Sequence, residues 1–180
     1  MNITQLNIKG VYKIIPEVIV DERGGFFRYY CKNEFSGLTK NEFVQMNHSF
    51  NKLKGTLRGL HYQANPHGEE KLVRCIKGEI FDVFVDLRKD SESYLKWQST
   101  ILSEKNKEIL FLPKGIAHGF ITVQDDTHIL YQHTQFYNAD FERGIRYNDP
   151  KLNIKWPIPT TIVSARDMNH KMINKDFNGI

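Results

Sequence analysis

In the stretch Phe81-Asp82-Val83-Phe84-Val85-Asp86-Leu87, the apolar residues Phe81, Val83, Val85 and Leu87 alternate with Asp82, Phe84 and Asp86. Successive side chains of a strand point to opposite faces, so a period of two marks β-structure. Turn formers close the run on both sides, Lys77-Gly78 before it and Arg88 to Ser93 after it. The same grammar repeats outward. Runs rich in Val, Ile, Phe, Tyr and Thr predict strands at Phe43–Phe50, Leu57–Tyr62, Lys71–Ile76, Trp97–Leu102, Glu108–Leu112, Ala117–Val123, His128–Thr134 and Gly144–Tyr147. Between them lie turn signals such as Pro113-Lys114-Gly115, Gln124-Asp125-Asp126 and Asn148-Asp149-Pro150. Short strands spaced by roughly 8–12 residues indicate an all-β sandwich or barrel. Helix is scarce. One short helix is expected over Asn33–Leu38. Another is expected to start at Ser164, capped with Asp167 three residues on, with Ala165, Met168, Met172 and Ile173 near one face. One β domain over residues 1–180, with irregular ends, is the reading.

The 180 residues are 40% hydrophobic and 26% charged, the composition of an ordinary globular protein. The net charge is +4, and the basic residues form no stripe of the kind a nucleic-acid groove shows. No run approaches the ~20 apolar residues of a membrane span. Met1 to Gly10 has neither a charged nor an apolar leader region, and Cys31 and Cys75 form no CxxC pair, so free thiols and a cytoplasmic location are expected. Open sheet edges must be paired or covered. The β-prone segment Val11–Val20, broken by Pro16, is placed to reach a neighbouring subunit in a homodimer or, alternatively, to pair at home.

Ionisable residues are concentrated inside the predicted strands. Arg58 and His61 share one strand, Lys71 and Arg74 the next, His118 follows Pro113-Lys114-Gly115, and Tyr131 lies with His133. Several such groups converging on one interior suggest a polar pocket, since each would otherwise be buried without a partner. His61, Lys71 and Tyr131 together supply a base, an electrophile and an acid.

Longer blocks carry more. Gly55-Thr56-Leu57-Arg58-Gly59-Leu60-His61-Tyr62-Gln63, Glu70-Lys71-Leu72-Val73-Arg74, Asp82 to Arg88, Pro113 to Phe120, Tyr131 to Tyr137, Glu142-Arg143-Gly144-Ile145, Asn148-Asp149-Pro150, Trp156-Pro157 and Ser164-Ala165-Arg166-Asp167 closely resemble the dTDP-4-dehydrorhamnose 3,5-epimerase family. The resemblance runs from about Val11 to Asp167 and implies an all-β, cupin-like double-stranded β-helix (jelly roll) with short peripheral helices, usually dimeric. It also implies an epimerase that inverts carbons flanking the ketone of a nucleotide-linked 4-keto-6-deoxy sugar, with no cofactor. By the same resemblance His61 is the general base, Asp167 orients and charges it, Lys71 stands near the ketone oxygen, and Tyr131 is the general acid. Tyr137 stacks on the nucleotide base, and Arg23, Arg58, His118, Glu142, Gln45, Asn47 and Arg166 contact substrate. Helix capping remains an alternative role for Asp167.

Three positions depart from the family pattern: Arg28 follows Phe26-Phe27 where glutamate is common, Met46 stands between Gln45 and Asn47 where Asp is frequent, and Arg166 replaces lysine. Arg28 and Met46 bear on the nucleotide end, so a CDP-linked sugar is a competing substrate. A single-carbon epimerase and a non-catalytic sugar-nucleotide-binding jelly roll compete with the two-carbon reaction. His61-Tyr62-Gln63 lacks one histidine of the usual cupin metal motif, so no metal dependence is expected.

Overall fold

The computed structural model describes residues 1–180. In chain order the elements are β1 (Asn2–Gln5), β2 (Tyr12–Ile15), β3 (Val18–Asp21), β4 (Gly24–Phe27), α1 (Lys32–Phe35), β5 (Gln45–Asn51), β6 (Thr56–Gln63), β7 (Lys71–Lys77), β8 (Glu79–Asp86), β9 (Trp97–Ser103), β10 (Ile109–Leu112), β11 (Ile116–Thr122), β12 (Thr127–His133), β13 (Glu142–Gly144), β14 (Ile162–Val163) and α2 (Ala165–Met168). One sheet runs β1-β2-β10-β7-β12-β5, the other β13-β6-β11-β8-β9, with β14 parallel to β6. From β5 to β13 the chain alternates between the sheets, the β8–β9 hairpin apart, which is the expected jelly roll.

Apolar residues settle into three layers. Between the sheets lie Val73, Cys75, Leu110, Leu112 and Ile129 from one, and Ile80, Phe84, Leu102, Ile116 and Phe120 from the other. Outside the first sheet its Ile14, Leu72, Ile109 and Phe111 pack under Phe35. Outside the second, Leu60, Tyr62, Val83, Val85 and Leu87 are covered by Ile145, Leu152 and Ile173. The strand Phe81 to Leu87 is therefore buried on both faces. Its alternation separates two apolar layers rather than core from solvent, and Asp82 and Asp86, both 0% exposed, lie inside. Asp86 is fully partnered by Arg88, Ser91 and Ser93, whereas Asp82 meets His118 through Oδ2 and leaves its buried Oδ1 without a partner.

The N-terminal segment divides at Pro16. Its first half pairs at home, β2 lying between β1 and β10. Its second half, β3, joins neither sheet and forms a hairpin with β4. The expected amphipathic C-terminal helix is one turn only. Ser164 does cap it, its Oγ accepting from the Asp167 backbone N–H, but the Asp167 carboxylate turns elsewhere, so only half of the expected cap forms. Beyond Met168 the backbone is captured by tertiary bonds. Arg146 donates to the carbonyls of His170 and Lys171, and the Ile173 N–H donates to Asp149. Ile173 ends buried, while Met168 and Met172 stay exposed.

Candidate active site

The polar end of the inter-sheet space opens as a cleft of about 370 Å³, within the usual range of ~300–1,000 Å³ for small-molecule sites. Ten of the twelve sequence-predicted residues line it: Gln45, Asn47, Arg58, His61, Lys71, His118, Tyr131, Tyr137, Glu142 and Arg166. Asp167 lies behind His61, and Arg23 lies elsewhere.

A bulge sets the geometry of one wall. In a regular strand, residues three apart face opposite ways, yet Arg58 and His61 both face the cleft. Between the pairs Arg58–Phe120 and His61–His118, β6 has one more residue than β11. That extra residue restores both side chains to one face. The backbones approach so closely here that a Cβ on Gly119 would lie 2.6 Å from the Arg58 carbonyl oxygen.

His61 Nε2 lies 2.7 Å from Asp167 Oδ1, and the other carboxylate oxygen accepts from the Gly59 N–H at 3.2 Å. Burial by itself would raise the pKa of Asp167. The hydrogen bond and charge of His61, with help from Gly59 and Arg166, outweigh it and hold the carboxyl at about 2. A carboxylate at Nε2 favours the tautomer that donates from Nε2, leaving the Nδ1 lone pair free. Nearby, His118 Nε2 sits 2.8 Å from Asp82, whose carboxyl is pushed up by burial against the pull of His118.

The facing wall comes from β5, β7 and β12. Lys71 Nζ is 3.0 Å from Glu69 Oε1, and Glu69 Oε2 is 2.8 Å from His133 Nδ1. Burial opposes ionisation of Glu69, but Lys71 and His133 hold it charged, at about 2. Tyr131 packs edge-on to His118 and stacks with His133. Burial first, then the Asp82 charge, keep its phenol protonated far above the ordinary tyrosine range, with Arg58 opposing. Gln45 and Asn47 bond each other at 3.2 Å. At the mouth, Glu142 Oε2 accepts from both Tyr137 Oη and Arg166 Nη1 at 2.8 Å.

Two expected positions fall outside. Arg23 sits at the turn of the β3–β4 hairpin, 85% exposed and paired with Asp21. Arg74, read with Lys71 as a polar strand residue, faces the other way and lies over the Phe27 ring at 4.4 Å, since residues three apart on a regular stretch of strand diverge. Arg28 pairs with Glu34, and neither it nor Met46 lines the cleft. Sequence reasoning missed Glu69 as the counter-ion of Lys71. Its spacing of two from Lys71 was the available signal, and His133, singled out on its strand, completes the trio.

A jelly roll that brings a histidine–aspartate pair from β6 and α2 opposite a lysine and a tyrosine of the other sheet has the parts that acid–base chemistry requires. The family model for dTDP-4-dehydrorhamnose 3,5-epimerase matches residues 5–175. A Shigella flexneri protein of that name is 42% identical, over 98% of this chain and 99% of its own. The Bacillus anthracis enzyme, solved with TDP and pyrophosphate bound, superposes with a TM-score of 0.93 at 38% identity, covering 96% of this chain and 99% of that one. The Legionella pneumophila enzyme, in complex with dTDP-4-keto-L-rhamnose, gives 0.90 at 37% identity, over 95% and 92%. A Streptomyces niveus relative, 35% identical over 94% of this chain and 82% of its own, is a dTDP-4-dehydrorhamnose 3-epimerase. The chain belongs to the dTDP-4-dehydrorhamnose 3,5-epimerase family, whose members are isomerases. No helix is long and apolar enough to cross a membrane.

Proposed function

We propose that this chain, acting as one domain, inverts C3 and C5 of dTDP-4-dehydro-6-deoxy-D-glucose to give dTDP-4-dehydro-L-rhamnose. The supporting observation is the 2.7 Å His61–Asp167 pair on one wall of the cleft with Tyr131 and Lys71 on the other. The substrate ketone acidifies the C–H bonds on both sides of it. His61 Nδ1 takes the proton, and Asp167 stabilises the imidazolium that results. The Lys71 ammonium, held by Glu69, lowers the cost of the enolate oxygen. Tyr131 returns a proton from the opposite face and is reprotonated from solvent, while His61 releases its own, so the cycle closes without net proton transfer. The ketone itself activates the carbon acid, so the reaction calls for no cofactor. Arg58 and Arg166 suit the diphosphate because a planar guanidinium donates two parallel bonds to paired oxygens. Tyr137, 56% exposed at the mouth, suits stacking on the base. His118, Gln45, Asn47 and Glu142 complete the sugar and nucleotide contacts.

Arg23 enters this scheme through a homodimer. The hairpin that carries it exposes Ile19, Val20 and Phe26 at 64, 73 and 73%. A second copy covering these residues would receive Arg23 at its own cleft. Sedimentation equilibrium should report a dimer, and Phe26→Lys should weaken it.

The deciding experiment is NMR after incubation in deuterated water with dTDP-, CDP- and GDP-linked 4-keto-6-deoxy sugars. Deuterium at both C3 and C5 of the dTDP compound is expected. Labelling of one carbon would give the single-carbon reading, which the 35% identical 3-epimerase favours. No exchange with any carrier would remove the catalytic reading.

A further inference from the structure

His170 stands beside the His61–Asp167 pair and takes no part in the chemistry above. Its Nε2 is buried with no hydrogen-bond partner, 3.4 Å from Asp167 Oδ1, the same oxygen that meets His61 Nε2 at 2.7 Å. The three donor atoms all lie within 4.8 Å of one another. The two imidazole rings meet nearly edge to face, with centroids 5.5 Å apart. The His170 ring occupies the space over Gly144 that a Cβ would fill, so it is held against the pair from behind.

We propose that His61, Asp167 and His170 form an inhibitory binding site for zinc or a similar borderline-soft divalent ion. Two imidazoles and one carboxylate are a common zinc donor set, with water free to take the fourth position. They suit Zn²⁺ or Co²⁺ far better than Mg²⁺, which prefers oxygen donors. Tetrahedral bonds of ~2.0–2.2 Å put donor atoms roughly 3.3 Å apart. The 3.4 Å pair already fits, the 2.7 Å pair must open as its bridging proton leaves, and the two imidazole nitrogens, within 4.8 Å of each other, must settle to the same spacing. The second carboxylate oxygen stays anchored on the Gly59 N–H. Arg166 Nε, 3.7 Å from Oδ1, opposes a cation, but its guanidinium is itself neutralised by Glu142. These residues differ from the His61-Tyr62-Gln63 strand motif considered in the sequence, since Asp167 and His170 come from the C-terminal segment.

The consequence follows from the tautomer, and it rests on His61 being the base. A neutral imidazole carries one N–H. Coordination through Nε2 moves that proton to Nδ1, where the cleft needs a lone pair. No bond to carbon forms or breaks; the ion takes the Nε2 pair, and the base is lost while Lys71, Tyr131 and the nucleotide contacts remain. Zinc should therefore lower kcat with little change in KM, and a chelator should restore it.

The test uses the 180-residue chain, Co²⁺ as a spectroscopic probe and Zn²⁺ as the inhibitor. Co²⁺ should give the intense visible bands of a low-symmetry, four-coordinate site at one equivalent. In His170→Gln, and in His170→Phe, which keeps the ring over Gly144, cobalt affinity should fall by about 100-fold or more, since even indirect supports of a ligand are worth ~10–100-fold. Both variants should keep the metal-free exchange rate and lose sensitivity to Zn²⁺, and Mg²⁺ should do nothing to any of them. Absence of cobalt bands in the wild type, or equal affinity in folded His170 variants, would overturn the site. Cobalt bound at one equivalent with undiminished turnover would instead overturn the inhibition and, with it, His61 as the base.

Discussion

At the scale of single residues, His61, Asp167 and Tyr131 are expected to fail in three different ways. His61→Ala removes the base and should lower exchange at both carbons by on the order of 10²–10⁴-fold with the fold intact; activity within a few-fold of wild type would reject the assignment. Asp167→Asn should cost less, because the imidazole remains, although Asn can accept from only one of His61 Nε2 and the Gly59 N–H and no longer offsets the imidazolium charge. Helix capping does not confuse this comparison: the cap uses the Asp167 backbone N–H, which the substitution keeps. Tyr131→Phe keeps the ring that packs beside His118 and His133 and removes only the donor. Enolate formation by His61 and Lys71 should continue, so recovered substrate should still carry deuterium while inverted product falls sharply. Undiminished inversion would leave Tyr131 a core aromatic. The pairing of His61 with Asp167 was legible from the blocks that carry them, since each is embedded in a long distinctive string. Glu69 was not, because its spacing of two from Lys71 is a weak signal by itself and a counter-ion is chosen by the fold.

At the scale of elements, the strand positions were legible and their faces were not. Alternation located β8, but which of its faces meets water depends on what covers each: the Asp82–Phe84–Asp86 face turns to the other sheet, and the apolar face is covered by a C-terminal segment far away in sequence. Likewise Ser164 announced a helix start, whereas the stop after Met168 is imposed by Arg146 and Asp149. The β6 bulge was equally hidden, although the two glycines that permit it, Gly59 and Gly119, stand in recognisable blocks. Gly119→Ala tests its importance. The new Cβ would meet backbone at 2.6 Å and the Leu60 side chain at 2.9 Å, so β6 and β11 must separate or lose register. Overpacking of this kind costs about 1–3 kcal/mol, and the same shift would misalign Arg58, His61 and His118. The urea midpoint should fall and exchange should be lost together. Gly37→Ala, with nothing within 4 Å of the added atom, is the control and should change neither. A Gly119→Ala protein with wild-type stability and activity would show that the close approach is not needed.

For the whole molecule, the same contacts that equip the cleft should set its response to acid. Glu69, Asp86 and Asp167 are buried, which opposes their ionisation, yet each is held at about 2 by its partners: Lys71 and His133, Arg88 with Ser91 and Ser93, and His61 with Gly59. Their ordinary values are 4.5 for Glu and 3.8 for Asp. A carboxyl depressed on folding stabilises the native state above its unfolded value, and that contribution disappears as the pH falls through the folded one. Asp86 and Asp167 should each contribute about 2 kcal/mol at neutral pH and Glu69 about 3 kcal/mol. The unfolding free energy should therefore begin to decline below about pH 6.5, where burial holds the His170 imidazole below its ordinary value, and drop steeply between about 4.5 and 2. Asp82, shifted the other way by burial, has the opposite sign and opposes the drop. Asp86 is the clean probe, because it lies at the far end of β8 and lines no part of the cleft. Asp86→Asn should lower stability at pH 7 by about 2 kcal/mol, reduce the slope of the acid limb by roughly one proton, and leave deuterium exchange into the substrate unchanged. Urea titrations at a series of pH values measure all of this. An acid limb as steep in Asp86→Asn as in the wild type would mean that the Arg88–Asp86 cluster is not what holds the native state against protonation.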